Sequence, residues 1–239
     1  MNLGKIILFV FLVCLSPSLI AQNLNDAIFS KSATEFRFSE PILGLLSDRI
    51  DYDKIKGSPF WMDAYQPALL YTNTGYIGTL PVRLNFATGE LYFLKDSEEV
   101  VLVNNFVAKI VFRNANDSSV FISRVPNLLF NNNPVDGFVQ ALNFGKYQLL
   151  KYTIRKLASE ESPSHTSKNY YFTDVIIYFI KSNEKLECIK KLNKENIFFY
   201  LPSSSSYNAW LKENTINFKN EKDIVRFLNY YNAHLNNYN

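Results

Sequence analysis

Cysteine, histidine and glycine are scarce in this chain, and each scarcity closes off a class of mechanism. Of 239 residues, only two are cysteine and two histidine. Neither His165 nor His234 has a cysteine or carboxylate at the spacing of a zinc site, such as His-Glu-x-x-His or paired Cys-x-x-Cys, so no metal and no other cofactor is expected. Eight glycines and nine prolines are too few for a collagen-like or low-complexity chain. No Gly-x-Ser-x-Gly elbow is present, which disfavours an α/β-hydrolase. Gly145-Lys146 is followed by Tyr147 where a phosphate loop needs serine or threonine. Charge of one sign is also lacking: a net +3 gives no field to steer the protein to a polyanion, and 47% hydrophobic residues exclude a disordered chain. No repeat of fixed period and no heptad array is visible, so a solenoid, propeller or coiled coil is not expected. The length suits one domain, or one domain with a small appendage, whose core is large enough to fold without disulfides or metal.

The most informative segment is the start. Lys5 is the only charge in residues 1–21, and it precedes the apolar run 6–15, Pro17, and the sequence Leu19-Ile20-Ala21-Gln22. A basic start, a short apolar middle and a small residue before the break describe a secretory signal peptide cut after Ala21. The run is short for a membrane span, so no transmembrane segment is expected once it is removed. The alternatives are a retained anchor, or lipidation at Cys14, for which Val13 stands where a small residue is wanted. Cleavage leaves Cys188 alone, so no internal disulfide can form, and Cys188 in Leu-Glu-Cys-Ile is expected to be a small buried hydrophobe. The 27 asparagines fit the codon bias of an AT-rich genome, and runs such as residues 131–133 need no functional reading.

Four segments are expected: a signal peptide at 1–21, a lead-in at 22–56, an antiparallel β domain at 57–192 and a helical C-terminal cap at 193–239. Leu80, Val82, Leu84 and Phe86 alternate with polar neighbours, and residues 91–94 and 100–103 return after polar turns, which predicts a three-strand meander. Residues 108–113 and 120–122 form a further hairpin, and 138–142 meets 147–157 across Asn143-Phe144-Gly145-Lys146, where Asn143 and Gly145 suit positive backbone angles. A polar loop at 160–169 leads to a last hairpin, 170–180 with 186–192, turning at Ser182-Asn183-Glu184-Lys185. That turn also explains its chance match to Ser-x-x-Lys. Residues 42–50 suggest a short helix, and Asn193, Ser206 and Asn220 suit the caps of three more. After Asn220, Ile224, Phe227, Leu228, Tyr231 and Leu235 make one apolar stripe. The fold class is mainly β with C-terminal helices (α+β): an antiparallel sandwich or partly closed barrel of seven or more strands capped by two or three short helices.

Local acid pairs occur at Asp51/Asp53, Glu98/Glu99 and Glu160/Glu161, each also readable as a solvated turn. A glycosidase or peptidase would need two such acids brought together in a cleft. Lysines 181, 185, 190, 191 and 194 are interleaved with Glu184, Glu187 and Glu195, so nucleic acid is not an expected partner. The aromatic groups Phe60-Trp61-Tyr65 and Tyr207-Trp210, together with Phe227 and Tyr231 of the stripe, read either as core or as an interaction surface. Trp61, Tyr65, Trp210, Phe227 and Tyr231 are the candidates for such a surface.

The runs Gly-Ser-Pro-Phe-Trp at 57–61 and Leu-Pro-Val-Arg-Leu-Asn-Phe at 80–86, with the ending 218–232 and the Ala21-Gln22 cleavage pattern, resemble small secreted proteins of the Bacteroidota that carry no assigned activity. The resemblance implies an envelope location and a β-rich structure, and it supplies no catalytic residues. The expected function is that of an exported, non-catalytic envelope protein in the periplasm or outside the cell, binding an envelope protein or an apolar ligand. The alternative is a hydrolase of saccharide or peptide working through spatially paired carboxylates.

Overall fold

The computed structural model describes residues 29–32, 55–95, 97–102, 106–114, 117–135, 137–161, 168–182, 185–202 and 205–235. The expected signal peptide, Cys14, the helix at 42–50 and the Asp51/Asp53 pair lie outside the described residues. The strands are β1 (Phe29–Ser32), β2 (Gln66–Thr72), β3 (Gly75–Leu84), β4 (Leu91–Lys95), β5 (Glu98–Leu102), β6 (Lys109–Asn114) and β7 (Asp117–Ser123). They continue as β8 (Leu129–Phe130), β9 (Asn133–Pro134), β10 (Phe138–Ala141), β11 (Gln148–Glu161), β12 (Lys168–Lys181) and β13 (Leu186–Ile189). Three helices follow: α1 (Lys194–Phe198), α2 (Ser205–Glu213) and α3 (Glu221–His234).

Eleven of these strands form one antiparallel sheet in the order β1-β5-β4-β3-β2-β6-β7-β10-β11-β12-β13, and β8-β9 is a separate small hairpin. The expected meander is present as β3-β4-β5, and the hairpins β6-β7, β10-β11 and β12-β13 are paired as the alternation suggests. Of the segment read as a polar loop at 160–169, the described residues 160–161 and 168–169 belong to strands: β11 and β12 pair from Gln148↔Lys181 out to Glu161↔Lys168. Two polar strand ends can pair when both faces meet water, because the ladder bonds are made by backbone alone.

The sheet is not closed by a continuous ladder, yet it is strongly rolled. Five strand steps separate β3 from β11, about 24 Å on a flat sheet at the usual strand spacing. The Arg155 N–H of β11 nevertheless donates to the Phe86 carbonyl, two residues past β3, at 3.0 Å. The Phe86 ring also lies 6.1 Å from that of Phe121 on β7, three steps away. The concave face is thereby folded onto itself around Ala68, Leu70, Val82, Leu84, Leu91, Phe93, Ile110, Phe112 and Phe121. On the far half, Leu149, Ile180 and Ile189 continue that face and receive the helices, while Leu150, Ile177 and Phe179 face the other way under Leu128 and the β8-β9 hairpin.

Asn193 and Asn220 cap α1 and α3 as expected, whereas Ser206, read as a cap, lies one residue inside α2. The Asn193 side chain accepts from the Asn196 N–H, and that of Asn220 accepts from Lys222 and Asp223, which satisfies donors that a helix start leaves orphaned. The stripe on α3 is used as expected: Ile224, Phe227, Leu228 and Tyr231 are all buried against the sheet. No helix among the described residues is long and apolar enough to cross a membrane.

One asparagine locks the end of α3 to the turn between β10 and β11. The Asn232 Oδ1 accepts from the Tyr147 N–H at 2.9 Å, and its Nδ2 donates to the Tyr147 carbonyl at 2.8 Å and to that of Phe144 at 3.0 Å. Gly145 is required beneath it, since its φ is +119° and a Cβ there would stand 2.7 Å from the Asn232 side chain. Asn143, read from sequence as a positive-φ residue, does not take that conformation. It is buried and works through its side chain, accepting from the Leu149 N–H at 2.6 Å and donating to the Tyr147 carbonyl at 2.9 Å. Asn232→Ala removes all three of its bonds to this turn, and urea unfolding is expected to show a loss of about 1–3 kcal/mol.

Candidate functional site

The segment 55–65, ahead of β2, is a strap across the seam of the rolled sheet. The Lys56 N–H donates to the Tyr170 carbonyl and the Lys56 carbonyl accepts from Phe172, which ties the strap to β12. Five residues on, Trp61 donates to the Leu84 carbonyl and the Pro59 carbonyl accepts from Phe86, which ties it to the end of β3. Two arginines hold it along its length. Arg155 donates through Nη1 to the carbonyls of Ser58 (2.8 Å) and Phe60, and through Nε to Asp174 Oδ1 at 2.7 Å. Arg83 places its guanidinium 3.7 Å from the Phe60 ring centroid and donates to the carbonyl of Asp63 and to Glu99. Its Nε is covered by these rings without an acceptor.

Glu99 collects both Arg83 and the Tyr65 hydroxyl on one oxygen, and the Tyr92 hydroxyl donates to Glu90 at 3.0 Å. Here lies the Glu98/Glu99 pair noted in the sequence, and its inner member is neutralised by a cation and a hydroxyl. Elsewhere Glu221 at the start of α3 takes Lys151 and the Tyr178 hydroxyl, both at 2.9 Å. Asp174 is held below the usual carboxylate value, chiefly by the hydrogen bond from Arg155. Glu160 and Glu161 are exposed at the tip of the β11-β12 hairpin. The acids that meet other side chains thus serve as joints between segments. Among the described residues no group of three or more His, Cys, Asp or Glu side chains could hold a metal ion.

The five aromatic candidates fall into two places, and the fold does not bring them together. Trp61 points inward, 4.7 Å from Phe112 and 5.0 Å from Phe121, and Tyr65 leans on the outer face of β4-β5 beside Tyr92. Phe227 is 0% exposed and Tyr231 is buried, so the structure places both in the core and not on a surface. The reason is the α3 stripe, which finds its own sheet and rings from all three helices: Phe198 stacks on Phe227 at 5.3 Å, and Tyr207 meets Tyr231 at 5.7 Å. Trp210 stays half-exposed, stacked 4.4 Å from Tyr230, which stacks in turn on His234. Phe199, which carries no sequence signal to separate it from the adjacent Phe198, is 81% exposed at the end of α1, with Tyr200 packed 5.0 Å from it.

Cys188 also departs from expectation, since it is exposed on β13 and not buried. β13 is the last strand of the sheet, so only one of its sides has a neighbour to cover it. Partial desolvation raises the thiol above its ordinary value, with Lys190 opposing, which argues against an activated thiolate. The Ser-x-x-Lys match resolves into the expected turn: the Ser182 N–H donates to the Lys185 carbonyl, and its Oγ accepts from the Lys185 N–H at 3.1 Å. Lys185, Lys190, Lys191 and Lys194 are exposed along the same margin, with Glu187 and Glu195 among them. The surface formed by β13, α1 and Phe199 is the candidate functional site.

The architecture is that of a mainly β protein with a helical cap. Comparison with protein-family models, with curated proteins and with solved structures finds no match.

Two measurements separate scaffold from surface. Phe227→Ala is expected to lower the unfolding free energy by about 3–5 kcal/mol in urea, whereas Phe199→Ala changes it by less than about 0.5 kcal/mol. The tyrosines give a pH signature. Tyr65, Tyr92 and Tyr178 are raised above the ordinary value of 10.0, first by burial and then by their carboxylate partners, and Tyr231 is pushed up to about 12 by burial. Their contribution to stability is fully present below pH 10 and declines as pH rises from there toward the folded values, because only the unfolded chain then releases the protons readily. Absorbance at 295 nm should show these tyrosines ionising late, in step with alkaline unfolding.

Proposed function

We propose that the protein is an exported, non-catalytic component of the cell envelope that works by docking a protein partner. The observation that carries the reading is Phe199, a ring left 81% exposed by a fold that buries most of its neighbours on all three helices. Phe198, the adjacent residue, packs against Tyr207, Phe218 and Phe227, so the local sequence had an apolar interior at hand. Exposed aromatic rings with a free polar margin are the composition of partner-binding surfaces. The use of Glu99, Asp174 and Glu221 as structural joints supports binding over hydrolysis, since a catalytic acid pair must be free to exchange protons with substrate. The apolar-ligand branch is weakened by the space between sheet and helices, where Tyr147, Phe198, Tyr207, Phe227 and Tyr231 touch ring to ring. Export rests on the pattern of residues 1–21 and on the resemblance to secreted Bacteroidota proteins.

The test is a C-terminally tagged copy expressed in the native host, mildly crosslinked and recovered from the envelope fraction. The expected result is one envelope protein in stoichiometric amount, lost in Phe199→Asp while the fold is retained. Recovery alone, together with cleavage of saccharide or peptide that Glu99→Gln or Glu90→Gln abolishes, would replace this reading with the hydrolase.

A further inference from the structure

The free edge of β13 specifies how a partner would bind. Ser182 and Lys185 form a hydrogen-bonded pair, and the ladder then runs Lys181↔Leu186, Ile180↔Glu187, Phe179↔Cys188 and Tyr178↔Ile189. Antiparallel pairs alternate between bonded and non-bonded, so Glu187 and Ile189 spend their N–H and C=O on β12. Leu186 and Cys188 aim theirs away from it, toward the side of β13 where the sheet order ends. Glu187, Cys188 and Lys190 are exposed there, and among the described residues no further strand pairs with β13.

We infer that β13 accepts an extended, acidic segment of a partner protein as an added strand, a mode that rests on the docking function proposed above and gives it a chemistry. Backbone bonds to Leu186 and Cys188 would supply the pairing, and Phe199 and Tyr200 an apolar contact beside it. Charge selects the occupant. Among the described residues of this margin, Lys185, Lys190, Lys191 and Lys194 outnumber the exposed acids Glu187 and Glu195. A second copy of this chain fits badly. A two-fold pairing that sets the outward Cys188 opposite its own counterpart puts Lys185 opposite the Lys191 of the copy, and one that sets Leu186 opposite Cys188 puts Glu187 opposite its own counterpart. Like charges directly across a ladder destabilise it. Lysines on an edge deter unwanted strands in the same way, so the strand that does bind must bring carboxylates to meet them.

The test uses the protein purified from its host and three fluorescent eight-residue peptides: valine alternating with glutamate, valine alternating with lysine, and the glutamate peptide with proline at its fourth and sixth positions. Only the first is expected to bind in a polarisation assay, about fivefold more weakly at 500 than at 50 mM salt. Cys188→Pro removes one outward N–H while sparing the bonds to β12, and should abolish binding. If that variant unfolds, Lys185→Glu with Lys190→Glu, two exposed positions, should still weaken binding about tenfold. Binding of the proline peptide as well as its parent, equal binding of the lysine peptide, or no binding at all would overturn the inference, as would self-association through β13. Capture of the same envelope protein by the edge variants would overturn the added strand while leaving the docking function standing. Capture of nothing by the unaltered protein would remove the docking function itself.

Discussion

Arg155 is the residue on which the architecture turns. Its backbone N–H reaches across the seam to Phe86, its guanidinium grips two carbonyls of the strap, and Asp174 holds that guanidinium in place from the neighbouring strand. A flat sheet of this many strands would leave both faces to water. Rolling it makes one face an interior, but the roll must be held where no continuous ladder closes it. The strap supplies that closure with backbone bonds to both sides and drives Trp61 into the resulting end as a plug. Arg83 repeats the arrangement at the other end of the strap through Phe60, Asp63 and Glu99.

This division of labour bears on function. The charged groups that meet other side chains hold segments together, and partly desolvated charge pairs serve this purpose well because they fix geometry more than they add stability. The helices complete the far half of the molecule, where rings from α1, α2 and α3 fill the space above Leu149 and Ile180. What the packing leaves uncovered is the periphery. There the sheet runs out at β13 and one phenylalanine at the end of α1 is left in solvent.

Much of the fold was readable from residue order. Period-two alternation at 80–86 located β3, polar turns marked the meander and the last hairpin, and Asn193 and Asn220 marked helix starts. These features are local, and backbone geometry responds to them within a few residues. β2 was less readable, since Gln-Pro-Ala-Leu-Leu-Tyr-Thr does not alternate, and the β8-β9 hairpin is too short to show a period. The site was legible only in part. Trp61, Tyr65, Trp210, Phe227 and Tyr231 were chosen for residue type, and type alone does not say which side of an interface a ring occupies. Phe198 and Phe199 are adjacent and chemically identical, yet one is packed among three rings and the other exposed.

The sequence by itself determined the class: strands in series, helices at the end, and a stripe on α3 that had to be buried. Spacing and capping decide these matters within one element. Only the tertiary structure decided the order of strands, the roll of the sheet, the exposure of Cys188 and the burial of Phe227. Each of those depends on partners far off in the chain, such as Arg155 with Phe60 or Asn232 with Tyr147, and no local pattern records which distant backbone group a side chain will meet.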